Sequence, residues 1–96
     1  MTDRKARRWL TETVRISFTG HFVPPSFLEF VDRRAACLDL DVSVESAGTD
    51  RVAVEISGQP DLIDAFEMAC SLGPLDCIVL DCERAIVHAR RMENGR

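Results

Sequence analysis

Between Thr13 and Leu38 the periodicity of the chain changes once, and that change restricts the folds open to it. Val14, Ile16 and Phe18 alternate with Thr13, Arg15, Ser17 and Thr19, the period of two that gives a strand one apolar face. Phe27, Phe30, Val31, Ala35 and Leu38 then recur at helical spacing, which predicts a helix from about Phe27 to Leu38. Gly20-His21-Phe22-Val23-Pro24-Pro25-Ser26-Phe27 joins the two. A strand that turns directly into a helix aims backbone N–H groups at one spot on the positive end of the helix dipole, a geometry suited to phosphate. Ser26-x-x-Glu29 has the spacing of a capping box at this helix start.

The rest of the chain repeats the logic. Leu40, Val42 and Val44 alternate with polar neighbours, Ser46-Ala47-Gly48-Thr49-Asp50 makes a turn, and Val52, Val54 and Ile56 alternate again, so these two strands pair as an antiparallel hairpin. Gly58-Gln59-Pro60-Asp61 starts a second helix, with proline and acidic residues suited to a first turn. Its expected apolar stripe is Leu62, Ala65, Phe66, Ala69 and Leu72, and Gly73-Pro74 stops it. Cys77–Cys82 reads as a more buried fourth strand, and Ala85–Ala89 either extends it or forms a short fifth. The order β-α-β-β-α-β implies an α+β, ferredoxin-like domain with a four-stranded antiparallel sheet and both helices on one face.

The 96 residues suffice for one domain and one core, with residues 1–11 and 91–96 expected to be flexible tails. Hydrophobic residues make up 46% and charged residues 29%, a balance suited to a compact fold. No apolar run approaches membrane-spanning length and no signal-like stretch follows the basic start, so the expectation is a cytoplasmic protein without membrane contact. The net charge is −4, with basic ends on an acidic body, which argues against nucleic acid as a partner. Cys37, Cys70, Cys77 and Cys82 show no C-x-x-C spacing, and neither histidine lies close to one. No metal or other cofactor is expected. Cys37, Cys70 and Cys82 read as buried, reduced thiols and Cys77 as the more exposed one.

The stretch from Gly20 to Gly58 resembles the acylphosphatase family without a gap. The family's G-R-V-Q-G-V-x-F-R motif falls on Gly20–Leu28, its L-G-L-x-G-x-V-x-N pattern on Leu38–Ser46, and its D-G-R-V-E-V stretch on Thr49–Val54. Leu72-Gly73-Pro74 is similar to the end of the family's second helix, so the likeness covers residues 13–84. It implies small βαββαβ enzymes that hydrolyse the carboxyl–phosphate bond of acyl phosphates without a metal. It also implies that an arginine at position 28 would grip the phosphate and an asparagine at position 46 would orient the attacking water. Here those positions hold Leu28 and Ser46.

Leucine cannot bind an anion, and serine offers only a shorter hydrogen-bonding group. Pro24 and Pro25 lack the N–H that a phosphate cradle uses. Losing one preorganised donor typically costs about 10²–10³ in rate, so most catalysis should be gone. No catalytic residue is therefore assigned. His21 is the one imidazole near the loop and could act as a base or anion contact, or be a plain exposed residue. Ser26 has no identifiable base and reads as a cap. Arg33 and Arg34 lie more than a turn beyond the loop and read as solvated. Phe22, Val23, Pro24 and Pro25 make the loop apolar and stiff, either as a surface for a protein partner at 21–27 or as a lid over its own core. The expectation is an acylphosphatase-like interaction or regulatory module without hydrolase activity. A divergent acylphosphatase and a small-ligand sensor are the alternatives. The oligomeric state is left open.

Overall fold

The computed structural model describes residues 10–91, with side chains over 11–87. Its elements are β1 (Leu10–His21), α1 (Pro24–Cys37), β2 (Asp41–Ala47), β3 (Arg51–Gly58), α2 (Pro60–Leu72) and β4 (Ile78–Arg91). They form one antiparallel sheet in the order β2-β3-β1-β4, which is the ferredoxin-like βαββαβ arrangement expected from the sequence. Most of both expected tails lies outside the described residues, as does Trp9, but Leu10, Thr11 and Arg91 belong to strands. Among the described residues no helix is long and apolar enough to cross a membrane.

The central strands pair Val14 with Ile56, Ile16 with Val54 and Phe18 with Val52, and all six side chains are buried. This is the core face. Residues paired directly across an antiparallel ladder share a face, so the alternation in β1 and β3 needs to be matched only once to fix every later contact. Phe27, Val31 and Ala35 of α1 and Ile63, Phe66 and Cys70 of α2 cover that face. On the other face Thr13 meets Ser57 through their hydroxyls at 2.7 Å, and Arg15 pairs with Glu45 at 2.7 Å.

Several expectations change. The stripe of α2 is not Leu62-Ala65-Phe66-Ala69-Leu72: Ala65 is exposed, Leu72 is 81% exposed, and Ile63 and Cys70 take the inner positions. The helix meets the sheet along the 63-66-70 line, and Leu72 falls off that line on the outer side. The fourth strand is not buried, because it is an edge strand, and Ala85–Ala89 extends it rather than forming a fifth. The cysteine environments of Cys37 and Cys77 are exchanged. Cys37 falls past the Phe27-Val31-Ala35 line and is exposed, whereas Cys77 is buried just before β4.

The end of α1 shows how a local signal departs from the family pattern without changing the fold. Asp39 adopts φ 59°, the left-handed position that usually favours glycine. Leu40 N–H reaches Ala35 O at 2.9 Å and Asp39 N–H reaches Ala36 O at 3.2 Å, and Leu40 and Ala35 are both buried. These are the two hydrogen bonds and the hydrophobic contact of a Schellman stop. At the end of α2, Gly73 has φ 64° and ψ 171°, a conformation that side chains disfavour.

Candidate functional site

The strand-to-helix loop lies at the end of β1, and its geometry depends on where each backbone N–H goes. Gly20 N–H donates to Asp50 O at 3.1 Å, and Phe22 N–H to Thr49 O at 2.7 Å, so the loop is stitched to the turn between β2 and β3. His21 lies opposite Ile78 in the β1–β4 ladder and is exposed. Val23 N–H points at Cys77 Sγ, 3.4 Å away. Pro24 and Pro25 fill the first two helical positions and have no N–H to offer. Phe27 N–H is taken by Val23 O at 3.0 Å. These amides are spent on the protein itself.

Ser26 does not cap the helix, contrary to the capping-box reading. The helix begins earlier, at Pro24, with Val23 at the cap position and no side-chain cap. Two prolines preset the helical φ, which moves the start back and places Ser26 inside the first turn. Its hydroxyl donates instead to Asp76 Oδ1 at 2.8 Å, a contact from the segment between α2 and β4. Glu29 pairs with Arg33 one turn on, at 2.9 Å. A carboxylate of the protein thus sits beside the first turn of α1, at the end of the helix dipole where an external anion would approach.

Side chains close the rest of the space. Phe22 is 5% exposed, its ring 4.8 Å from that of Phe27, and Phe27 is in turn 5.3 Å from Phe18 in an edge-on contact. The loop therefore folds its aromatic residue over its own core, while Val23 and Pro25 stay exposed and Pro24 is half-buried. Gly20 is needed for a close approach by protein backbone: a Cβ there would run into the Ile78 carbonyl. Cys77 completes the floor, with its thiol 3.6 Å from Asp76 Oδ1. Burial pushes this thiol up from its ordinary value, with the Val23 backbone contact opposing and Asp76 adding to the rise. A raised thiol is a poor nucleophile.

Leu28 is half-buried and packs against the core cluster. Ser46 is exposed on β2, opposite Ala53 and just past the irregularity after Val44. Arg33 is engaged by Glu29, and Arg34 lies over the Phe30 ring at 5.7 Å, so both sit along the helix. His88 lies in β4 opposite Thr13. Among the described residues no polar or charged residue is buried, and no group of three metal-ligating side chains comes together. The sequence missed Asp76 and Cys77 as loop residues. Both are about fifty positions away in the chain, and no local pattern connects them to Ser26 and Val23.

The sequence matches no protein-family model and no curated protein. Solved structures do match in three dimensions. An acylphosphatase from Coxiella burnetii superposes with a TM-score of 0.74 at 19% identity, covering 83% of this chain and 84% of that one. The acylphosphatase from Bacillus subtilis gives 0.71 at 23% identity, covering 90% of each chain. Full-length HypF, solved in its phosphate- and nucleotide-bound form, gives 0.70 at 21% identity over 81% of this chain and 10% of that one. The likeness is one of fold, and in fold the chain is an acylphosphatase-like domain.

Proposed function

We propose that this acylphosphatase-like domain does not hydrolyse acyl phosphates and serves as an interaction or regulatory module. The observation that carries the reading is the fate of the loop amides. Phe22, Val23 and Phe27 N–H groups all have acceptors within the protein, and Pro24 and Pro25 have none to give. Phosphate catalysis depends on donors aimed in advance at developing charge, and here those of Phe22, Val23 and Phe27 are engaged while Pro24 and Pro25 have none. Asp76 beside Ser26 adds a negative charge at the approach. Leu28 packs on the core, at the position where the family resemblance puts the phosphate-gripping arginine. What the loop presents outward is Val23 and Pro25 on a proline-stiffened backbone, a small apolar knob suited to a protein partner.

Hydrolysis of benzoyl phosphate tests the reading. The expected rate is that of the buffer. Saturable turnover well above it, abolished by a substitution in residues 21–27, would favour the divergent enzyme and overturn the proposal. Leu28→Arg with Ser46→Asn should stay inactive while Pro24, Pro25 and Asp76 remain, because neither change frees a loop amide or removes the carboxylate.

A further inference from the structure

The fold brings Cys70 and Cys82 toward each other, two free cysteines that no spacing in the sequence pairs. Cys70 is fully buried on the line of α2 that meets the sheet. Cys82 is half-buried and lies opposite Phe18 in the β1–β4 ladder, and Phe18 is fully buried beneath the helices. Directly paired residues share a face, so the Cys82 side chain rises from the sheet toward α2. Contacts on either side bracket where it meets the helix. Cys82 Sγ donates to Glu67 Oε2 at 3.4 Å, and Arg84, two positions further along β4, lies 3.2 Å from Glu67 Oε1. Beyond Cys70, a Cβ at Gly73 would lie 3.8 Å from a Val79 methyl and 3.9 Å from the Cys70 carbonyl oxygen. The stretch from Glu67 to Gly73 therefore runs back over β4 from Arg84 to Val79, with Cys70 at its middle on the inner side. Glu67 and Cys70 are one turn apart, about 5–6 Å between Cβ atoms. A charge on the Cys82 sulfur is felt at Cys70. The other two cysteines are placed elsewhere, Cys77 beneath Val23 and Cys37 exposed at the end of α1.

We propose that Cys70 and Cys82 form a reversible disulfide that fastens α2 to the edge strand β4 when the chain meets a small disulfide oxidant such as oxidised glutathione. Cys82, the less buried of the two, reacts first: it gives up its proton, its sulfur attacks one sulfur of the oxidant, and one glutathione thiolate leaves and is protonated. Cys70 then gives up its proton, attacks the Cys82 sulfur and displaces the second glutathione. The two protein thiols lose two electrons and two protons, and the oxidant becomes two molecules of glutathione. Glu67 gives up the Cys82 thiol as a donor and keeps the Arg84 guanidinium, so its carboxylate stays paired. Burial, first of all, pushes both thiols up to about 12, which keeps thiolate scarce and exchange slow near neutral pH. The bond therefore registers sustained oxidation rather than a brief pulse. Once closed, it ties the last strand of the chain, an outer strand of the sheet, to the helix layer, and it constrains the unfolded chain.

Prolonged incubation of the folded full chain with excess oxidised glutathione, followed by alkylation and mass spectrometry, tests the proposal. A disulfide needs Cα atoms within about 7 Å, so its formation also measures how closely α2 approaches β4. The expected product is about 2 Da lighter than the reduced chain and carries no bound glutathione. Cleavage before Asp64, Asp76 and Asp81 puts Cys70, Cys77 and Cys82 on separate peptides, and those of Cys70 and Cys82 should be joined. The oxidised protein should melt at least about 5 °C higher than the reduced one, and dithiothreitol should reverse the shift. Cys82→Ala, which leaves the buried Cys70 in place, should abolish both the mass loss and the shift. Cys70 and Cys82 still unlinked after the incubation overturn the proposal, as does a bond from either of them to Cys37 or Cys77. A 70–82 bond that lowers the melting temperature also overturns it, since that bond would belong to a distorted fold. If Cys82→Ala loses its fold, the peptide map and the dithiothreitol reversal on the wild type decide.

Discussion

Replacing Phe22 by alanine separates a loop that is part of the core from one that merely lies on the surface. The side chain is 5% exposed and packs 4.8 Å from Phe27, which contacts Phe18 of β1. Phe→Ala in a core costs about 3–5 kcal/mol, the larger values arising where surroundings cannot collapse. Phe22 lies on a loop whose backbone can settle inward, so the lower end applies, about 3 kcal/mol. A domain of this size has roughly 5–14 kcal/mol in total. The variant should therefore remain folded at room temperature, with Tm lowered by about 12–24 °C. Equilibrium urea unfolding followed by circular dichroism measures it. Val23→Ala, at a side chain 44% exposed, should cost under about 1 kcal/mol. A Phe22→Ala cost below about 1 kcal/mol would refute the reasoning, since a fully packed ring cannot be removed so cheaply. It would return Phe22, with Val23 and Pro25, to the status of a free apolar surface.

Asp39→Gly should stabilise the protein by about 1 kcal/mol, because it relieves a left-handed residue while keeping both hydrogen bonds of the Schellman stop; urea midpoints check it. Arg84→Ala should cost about 1–2 kcal/mol, because Glu67 Oε1 already lacks a hydrogen-bond partner and would lose the guanidinium 3.2 Å away, whereas Arg33→Ala on the exposed face of α1 should change stability by no more than about 0.5 kcal/mol. Burial, first of all, pushes the Cys70 and Cys82 thiols from 9.0 up to about 12. The unfolded chain therefore ionises them first, so stability should be level below pH 9.0 and fall as pH rises toward about 12; a urea midpoint that does not move across that window refutes the assignment. A thiol reagent should label Cys37 before Cys70 or Cys77, read by peptide mass spectrometry, since Cys37 alone of the three is exposed.

The architecture was legible because three strands alternate cleanly and each helix has an unambiguous stop or start. Val14, Ile16 and Phe18 are buried as their period requires, and Pro60 opens α2 where the sequence placed it. What failed were inferences that needed to know what lies opposite. Ser26 and Glu29 satisfy the spacing of a capping box, yet the prolines had already started the helix, and Asp76 supplies the serine's partner from a distant segment. The hydrophobicity of Cys77–Cys82 suggested burial, but a strand's exposure is set by its place in the sheet rather than by its composition, and β4 lies at an edge. The α2 stripe was off because Ala65 and Leu72 are as apolar as Ile63 and Cys70, and only the sheet beneath chooses between them. The removal of loop donors by Pro24 and Pro25 could be read directly; the engagement of Phe22 and Val23 could not.

The central position of β1 also bears on how the protein is made. β1 is the first described strand to leave the ribosome, yet one of its two neighbours, β4, is the last. Once the hairpin of β2 and β3 has emerged, one side of β1 can be paired through Val14, Ile16 and Phe18, while the other side waits for the remainder of the chain. During that interval the sheet has a temporary edge with a strongly apolar face, the kind of surface that recruits chaperones or aggregates in crowded translation. Slower elongation after codon 58 would lengthen the exposure, whereas release of β4 ends it, so yield should depend more on the speed with which the last third is synthesised than on the first.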